Sequence, residues 1–373
     1  MKILLIRLDK IGDLICTLGV DQLLPTGFQT QWAVAAGLEP LLNLASPQRQ
    51  GHGFQKKFSF KNFLKFIEFL RQNKLDMAVS FQGPWWISAA LWLQRVPIRV
   101  GVRSQWHSFL FLTAGLRQKR SQSLQHESDY NKDLLLFAVK QISGGRTTTP
   151  DIPLSTITES VSLDSTVTAS SSPSSIFKLD SEKILALSKD RLDKILRNFL
   201  QTTEAYIVIH PGMAGSALNW PSENYVSLIS ELAKKYKIIV TGTTMDEPWL
   251  GPIKNALAQP LLSVAAKNIL ILQNELSLTE LLYVLKKSLL VIAPSTGVAH
   301  LAASLDRPVI GLYSPVLVHR SLRWKPRGEQ VSVLEPSVNC PATHQCLKEQ
   351  CPYFECMKNM SVQSVLDQVM TIL

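Results

Sequence analysis

Residues 3–13, Ile3-Leu-Leu-Ile-Arg-Leu-Asp-Lys-Ile-Gly-Asp13, begin as an apolar run, pass through a short polar loop and open a helical pattern. A run of this kind, Ile3 to Leu8, reads as a strand covered on both faces, as strands of a parallel sheet are. The helix that follows is expected from about Asp13 to Leu24. The same order recurs down the chain. Met77–Phe81 is turned by Gln82-Gly83-Pro84 into a Trp-rich helix, and Ala205–Ile209 runs into His210-Pro211-Gly212. Lys237–Thr241 ends in Gly242-Thr243-Thr244, and Leu289–Ala293 meets Pro294-Ser295-Thr296-Gly297. Val309–Tyr313 reads as a further strand.

Helical spacing fills the intervals. Phe63, Phe66, Ile67 and Leu70 repeat at i, i+3, i+4 and i+7, with Lys61, Lys65 and Arg71 on other faces. Ser277-Leu-Thr-Glu280 is a capping box that opens a helix through Leu278, Leu281, Leu282 and Leu285. Helices are also expected near Ser181–Leu200, from about Ser222, and at the end of the chain through Val362, Val365, Leu366 and Val369. Strands alternating with helices predict an α/β protein with doubly wound parallel sheets.

At 373 residues the chain has room for two domains, each with its own core. A content of 46% hydrophobic and 18% charged residues is that of a globular protein. The uncharged run Met77–Gln94 contains Gln82, Gly83, Pro84 and Ser88, a poor composition for a membrane-spanning helix. Ser155–Ser175 is rich in Ser and Thr and interrupts the βα rhythm, so it reads as a linker or insertion. The expected division is a Rossmann-like domain over 1–154, a linker over 155–178, a second Rossmann-like domain over 179–350, and a tail with a closing helix over 351–373. The opening strand leaves no signal-peptide pattern, which points to the cytoplasm.

Charge is unevenly distributed. Residues 1–150 hold 19 Lys and Arg against 9 Asp and Glu, a net +10, whereas the remainder holds 20 of each. A local excess of this size attracts anions, whether nucleic acid, an acidic membrane face or a phosphorylated substrate, or else serves solubility. No nucleic-acid motif accompanies it. Cys340, Cys346, Cys351 and Cys356 are separated by five, four and four residues, unlike a C-x-x-C ribbon, and leave reduced thiols or a metal site open.

Three turns carry candidate chemistry. Asp13 lies where the first strand gives way to its helix, the end of a parallel sheet where ligands bind. Two roles fit a carboxylate there: a general base beside a hydroxyl, or a helix cap. The small-residue loop His210-Pro211-Gly212, with Ser216, Trp220 and Pro221, offers backbone N–H groups to phosphate oxygens. Ser295-Thr296-Gly297 joins a strand to a helix start and makes an anion site, with His300 one turn further on.

These segments resemble glycosyltransferase family 9, the heptosyltransferases of lipopolysaccharide core assembly. The resemblance rests on Ile3–Asp13, Val79-Ser-Phe-Gln-Gly83, His126-Glu-Ser-Asp-Tyr-Asn131, His210-Pro-Gly212, Asn219-Trp-Pro221, Ser295-Thr-Gly-Val-Ala-His-Leu-Ala-Ala303 and Cys356-Met357. It implies the GT-B plan, two Rossmann-like domains facing across a cleft, the first binding acceptor and the second binding nucleotide sugar. It implies inversion at the anomeric carbon, no metal requirement and no cofactor besides the nucleotide-sugar co-substrate, with ADP-heptose favoured. Asp13 becomes the base. Lys10, Gly12, Gln82, Arg99, Arg103 and Arg120 are assigned to the acceptor. His210, Pro211, Gly212, Ser216, Ser295, Thr296, Gly297 and His300 are assigned to the donor, with Asp246 or Glu247 toward the ribose. The acceptor is an anionic glycolipid, met at the inner face of the cytoplasmic membrane.

Some positions depart from that pattern. The family's Lys two residues before Trp-Pro is Leu218 here, and the Asp before Thr-Gly is Ser295. Lys10, Arg320 and Arg323 are the candidate substitutes for the missing cation. Pro84-Trp85-Trp86 follows Gly83 where a basic residue is usual. Among the tryptophans, Trp92 is expected to pack against the sheet, while Trp85 and Trp86 fit either a packed or an interfacial position. Two rival functions stand beside transfer: a degenerate protein that binds sugar nucleotide or glycolipid without turnover, and a GT-B epimerase or hydrolase acting on the sugar nucleotide.

Overall fold

The computed structural model describes residues 1–143, 176–187, 190–201, 205–213, 215, 217–259 and 266–373. The Ser/Thr-rich stretch 155–175, the division expected at 154 and 155, and Ser216 lie outside the described residues. The chain forms two compact units. Residues 1–43, 48–118 and 128–177 make the first, and 44–47, 119–127 and 178–373 make the second. Arg120 therefore belongs to the second unit, not to the acceptor half to which it was assigned.

The first unit holds a parallel sheet of β1 (Lys2–Arg7), β2 (Gln29–Ala35), β4 (Gly51–Phe54), β5 (Met77–Gln82), β6 (Ile98–Val102) and β7 (Ala114–Leu116). Their lateral order is β4-β2-β1-β5-β6-β7. Taken in order of appearance within the sheet, this is 3-2-1-4-5-6, the dinucleotide-binding arrangement. β1 is central, with Leu5 in register with Trp32 on one side and Val79 on the other. Ile3 to Ile6 are fully buried, as a strand covered on both faces requires. Helix Phe60–Asn73 is capped by Ser59, whose hydroxyl accepts from Asn62 N–H, and ends at left-handed Lys74. Its Phe66 and Leu70 pack with Leu4, Ile6, Phe54 and Trp86 in one core.

The second unit repeats the plan. β9 (Tyr206–Ile209), β10 (Lys237–Gly242), β11 (Ile269–Gln273), β12 (Leu290–Pro294), β13 (Val309–Leu312) and β14 (Val331–Leu334) lie in the order β11-β10-β9-β12-β13-β14, again 3-2-1-4-5-6 and parallel throughout. The short antiparallel pair β3 (Ala45–Ser46) and β8 (Lys178–Leu179) also belongs to this unit. The closing helix Val362–Ile372 buries Val365 and Val369 in the same core as Trp220 and Met360.

Several expectations are corrected in detail. The first helix spans Ile11–Leu18 and passes into a 3-10 turn at Gly19–Leu23, earlier than expected. The helix expected near 181–200 is two helices, Ser181–Ala186 and Asp190–Leu200. The capping box at Ser277 and Glu280 is present on both sides. Trp92 is half exposed, against the expectation that it packs inward, while Trp86 is fully buried. Among the described residues no helix is long and apolar enough to cross a membrane.

Candidate functional site

In a sheet of order 3-2-1-4-5-6 the connections after the first and fourth strands leave in opposite directions. They open a crevice at the carboxyl ends of those strands. In the first unit these are β1 and β5, ending at Arg7 and Gln82; in the second they are β9 and β12, ending at Ile209 and Pro294. The sequence-derived residues Asp13, Gln82, His210, Pro211, Gly212, Ser295, Thr296 and Gly297 therefore gather at two switch points, one per unit.

At the first switch point a charged cluster stands at the end of an apolar strand. Arg7 is fully buried, and its Nη2 donates to Asp13 Oδ1 at 2.6 Å while Nε lies 2.9 Å from Asp9 Oδ2. Lys56 Nζ reaches Asp9 Oδ1 at 2.5 Å. The register against β5 shifts between Ile6 and Arg7, so this side chain emerges where regular pairing ends. Asp13 occupies the third position of helix Ile11–Leu18, where the helix dipole favours an ionised carboxylate, and its side chain keeps 23% exposure. Thr17 Oγ1 donates to the Asp13 carbonyl, and Asn131 Nδ2 donates to Thr17 Oγ1 and to the Cys16 carbonyl. The His126–Asn131 segment thus contributes a residue that braces the Asp13 helix. Lys10 is exposed at the N-cap, and Gly12 precedes Asp13 in the first turn.

The other residues assigned to the acceptor divide. Gln82 is exposed at the end of β5. Arg99 is not available as assigned: its Nε donates to Phe111 O and its Nη1 to Val96 O, so the guanidinium ties two loops together. Arg103 lies over the Phe109 ring at 5.1 Å. Arg120 Nη1 meets buried Glu127 Oε1 at 2.5 Å.

At the second switch point His210 N–H donates to Ile292 O, fastening the end of β9 to β12. Its Nδ1 shares a 3.0 Å hydrogen bond with Thr241 Oγ1, and burial pushes the imidazole down to about 4. A Cβ on Gly212 would stand 2.1 Å from the Asp246 carboxyl, so only glycine lets this loop pass. Asn219 holds the loop from the other side, its Nδ2 donating to Pro211 O and its Oδ1 accepting from Trp220 N–H and Tyr225 OH. Asp246 does not reach outward to a ribose. It is buried and accepts from Thr243 N–H at 2.9 Å and Thr243 Oγ1 at 2.8 Å in a capping box. Glu247 is exposed and bonded to Gln273 and Lys254, which lower its pKa.

Thr296 caps helix Gly297–Ser304, its Oγ1 accepting from Val298 N–H at 3.2 Å. The first-turn N–H groups and the positive end of the dipole make this a place for an anion. His300 is buried inside the same helix. Burial, then the neighbouring His126, pushes it down to about 3, and a hydrogen bond to the Trp324 backbone offsets only part of this. His126 shares a hydrogen bond with Lys325 O at 2.8 Å. Fully buried Glu127 accepts from both Arg120 and Arg323, the latter at 3.0 Å. Of the candidate substitutes for the missing cation, Arg323 is therefore committed to Glu127, while Leu218, at the family's Lys position, packs against the core.

Arg7, Thr241, His126, Glu127 and Trp324 were not singled out from sequence as site residues. Arg7 had a signal, since a charged side chain inside a run of fully buried aliphatics needs a partner. His126 and Glu127 lie in a motif that marked the resemblance but carried no role of their own. Thr241 and Trp324 had no signal, since their partners His210 and His300 are not adjacent in the chain. Among the described residues no group of three or more His, Cys, Asp or Glu is placed to hold a metal ion. The tail cysteines are free thiols, and burial raises that of Cys356.

Comparison with known proteins agrees with this architecture. The family profile of glycosyltransferase family 9 (heptosyltransferase) matches residues 159–355. A Haemophilus influenzae protein provisionally named a glycosyltransferase is 24% identical over 87% of this chain and 86% of its own length. Lipopolysaccharide heptosyltransferase 1 of Salmonella typhimurium is 30% identical over 32% of this chain and 37% of its own. The solved structure of E. coli ADP-heptose LPS heptosyltransferase II superposes with a TM-score of 0.71 at 17% identity, covering all of this chain and 98% of that one. Two parallel six-stranded units with this likeness are the GT-B fold, and the chain belongs to glycosyltransferase family 9, the heptosyltransferase family.

Proposed function

We propose that the chain transfers a heptose-like sugar, with inversion, from a nucleoside-diphosphate donor to an anionic glycolipid of the lipopolysaccharide core. ADP-heptose is the favoured donor, after the name of the E. coli relative. The observation that carries this reading is the pairing of Asp13 with buried Arg7 at the first switch point. It holds the carboxylate in one orientation, partly open to solvent. In the proposed step a carboxylate oxygen of Asp13 takes the proton of the acceptor hydroxyl. The hydroxyl oxygen forms the bond to the anomeric carbon, and the bond from that carbon to the diphosphate oxygen breaks. The nucleoside diphosphate leaves with the electron pair. Gly212, Ser295, Thr296 and Gly297 bind the diphosphate through backbone N–H groups and hydroxyls, with the helix dipole favouring the charge that develops.

His210 and His300 are neutral at physiological pH, because burial lowers both. Their contribution is to shape the donor loops and to donate or accept single hydrogen bonds, not to add charge. Asp246 supports the Gly212 loop from beneath. The +10 excess of residues 1–150 fits an acceptor rich in phosphate and acidic sugar and a site of action at the inner membrane face.

The test is a transfer assay with ADP-heptose and lipopolysaccharide-core acceptors, comparing the native chain with Asp13→Asn. Asp13→Asn is expected to lose at least about a hundredfold in kcat while binding ADP normally. Binding of ADP without turnover by the native chain on any core acceptor would instead favour a non-catalytic binding protein. Release of free sugar or an epimer without acceptor would favour an epimerase or hydrolase.

A further inference from the structure

Helix Trp85–Leu93 contains no charged residue, and its single hydroxyl, Ser88, is buried. Its inner side packs Trp86, Ile87, Ala90 and Leu91 into the first core. A helix that covers a sheet ordinarily turns a polar side to water. This one turns out Trp85, Trp92 and Leu93, the last two more than half exposed. Trp85 and Trp92 are seven residues apart, two turns along one side of the helix.

The neighbouring segments lengthen this apolar strip. The Phe58 ring lies 5.3 Å from Trp85 at one end. At the other end Trp92 lies 5.7 Å from Phe111, which lies 6.4 Å from Trp106. Trp106 is 63% exposed, and Phe109 and Leu110 beside it are more than half exposed. Contiguous aromatic surface of this extent is uncommon on a protein that meets only water.

The sequence segments that build the strip carry charge of one sign. No Asp or Glu occurs between Glu39 and Glu68, or between Asp76 and Glu127. Lys57, Lys61 and Arg95 in those intervals are exposed, and the Arg103 guanidinium stacks over the Phe109 ring. A second copy docked through the same strip would oppose cation to cation, which disfavours self-association. A bilayer with acidic headgroups matches both parts: ring systems settle at the headgroup boundary, and cations meet lipid phosphates.

We propose that this face of the first unit is a docking surface for an anionic phospholipid bilayer, bringing the enzyme to a lipid-linked acceptor. The inference rests on the acceptor proposed above for its purpose, but not for its physics. It is tested by flotation of the full chain with vesicles of phosphatidylcholine alone and of phosphatidylcholine mixed with phosphatidylglycerol. The native chain is expected to float with the mixed vesicles, far less with the neutral ones, and less as salt is raised. Trp92→Ser with Trp106→Ser is expected to lower vesicle partitioning by about tenfold or more. Lys57→Glu with Lys61→Glu is expected to lower it by at least about fivefold per position, on anionic vesicles only. All four positions are exposed, so thermal melting is expected to be unchanged and checks that the variants fold.

Equal partitioning by native and variant chains overturns the proposal, as does equal binding to both vesicle types. A native dimer that the Trp variants dissociate in sedimentation equilibrium also overturns it, by making the strip a self-interface. A water-soluble, delipidated core acceptor separates the two readings. Normal transfer to it without vesicle binding removes the docking surface and leaves the transferase. Vesicle binding that depends on Trp92 and Trp106, without transfer to any acceptor, leaves the docking surface and removes the transferase reading.

Discussion

The guanidinium of Arg7 is sealed from solvent, and its Nη2 stands 2.6 Å from Oδ1 of Asp13, six residues further along the chain. β1 delivers the cation and the next helix delivers the carboxylate. The buried guanidinium thus has its charge paired by two aspartates rather than left alone in the core. Asp9 completes the arrangement on the Nε side.

Arg7→Lys tests whether this pairing positions Asp13 or merely neutralises it. An ammonium supplies charge without the planar fork, so it cannot hold both aspartates in one orientation. The variant is expected to lose about a hundredfold in kcat, with donor KM unchanged and a lower melting temperature. Wild-type kcat in a folded Arg7→Lys chain removes the positioning role.

Gly212→Ala places a methyl group on the Asp246 carboxyl. Either the 210–212 loop moves outward or the Thr243–Asp246 capping box opens. Urea unfolding is expected to show a loss of about 2–3 kcal/mol, with a raised donor KM. Asp246→Asn weakens the same box and is likewise expected to destabilise the fold. A raised donor KM at unchanged stability would return Asp246 to a ribose contact.

Thr296 has two duties that its variants separate. Thr296→Ala removes the N-cap acceptor, at a cost of about 1 kcal/mol, and also a hydroxyl proposed to meet the diphosphate. Thr296→Ser keeps both. Calorimetry with ADP is expected to show weakened binding for the alanine variant and near-native binding for the serine variant. Equal ADP affinity in all three chains would leave Thr296 with the cap alone.

The two buried histidines make stability depend on pH in a defined direction. Burial lowers both in the folded chain, His210 to about 4 and His300 to about 3, from an ordinary value of 6.5. Above pH 6.5 neither state binds the proton, and their stabilising effect is fully present. As pH falls through the interval down to about 4, the unfolded chain takes up protons that the folded chain refuses. Stability then declines by up to about 1.4 kcal/mol per pH unit for each histidine, His300 continuing to about pH 3. Urea titrations at pH 7 and 5 check this, with His300→Gln expected to flatten the slope. An unchanged slope in both His300→Gln and His210→Gln would assign the acid sensitivity to other groups.

The βα alternation and both switch-point turns were legible because they are local. Each combines a short buried run, a turn of small residues and a helical period, all within about twenty residues. Other strands were not, Gln29–Ala35 and Ile98–Val102 among them. Of these, the edge strands Gly51-His-Gly-Phe54 and Ala114-Gly-Leu116 are too short and glycine-rich to show a period, and they become strands only by pairing with neighbours already in place.

Sequence alone therefore determined two Rossmann-like halves, the placement of Asp13 and of the 210–212 and 295–297 turns at strand ends, and the concentration of positive charge in the first half. Only the tertiary structure decided which polar groups those elements use up. It showed Arg7 bound to Asp13, Asp246 turned inward to Thr243, Arg99 spent on carbonyls, Arg120 and Arg323 joined on Glu127, and Trp92 facing outward. The reason is that a local pattern fixes the direction of a side chain from its own helix or strand. Which polar groups then meet, even between near neighbours such as Arg7 and Asp13 or Thr243 and Asp246, is set by how the packed strand ends and turns present them.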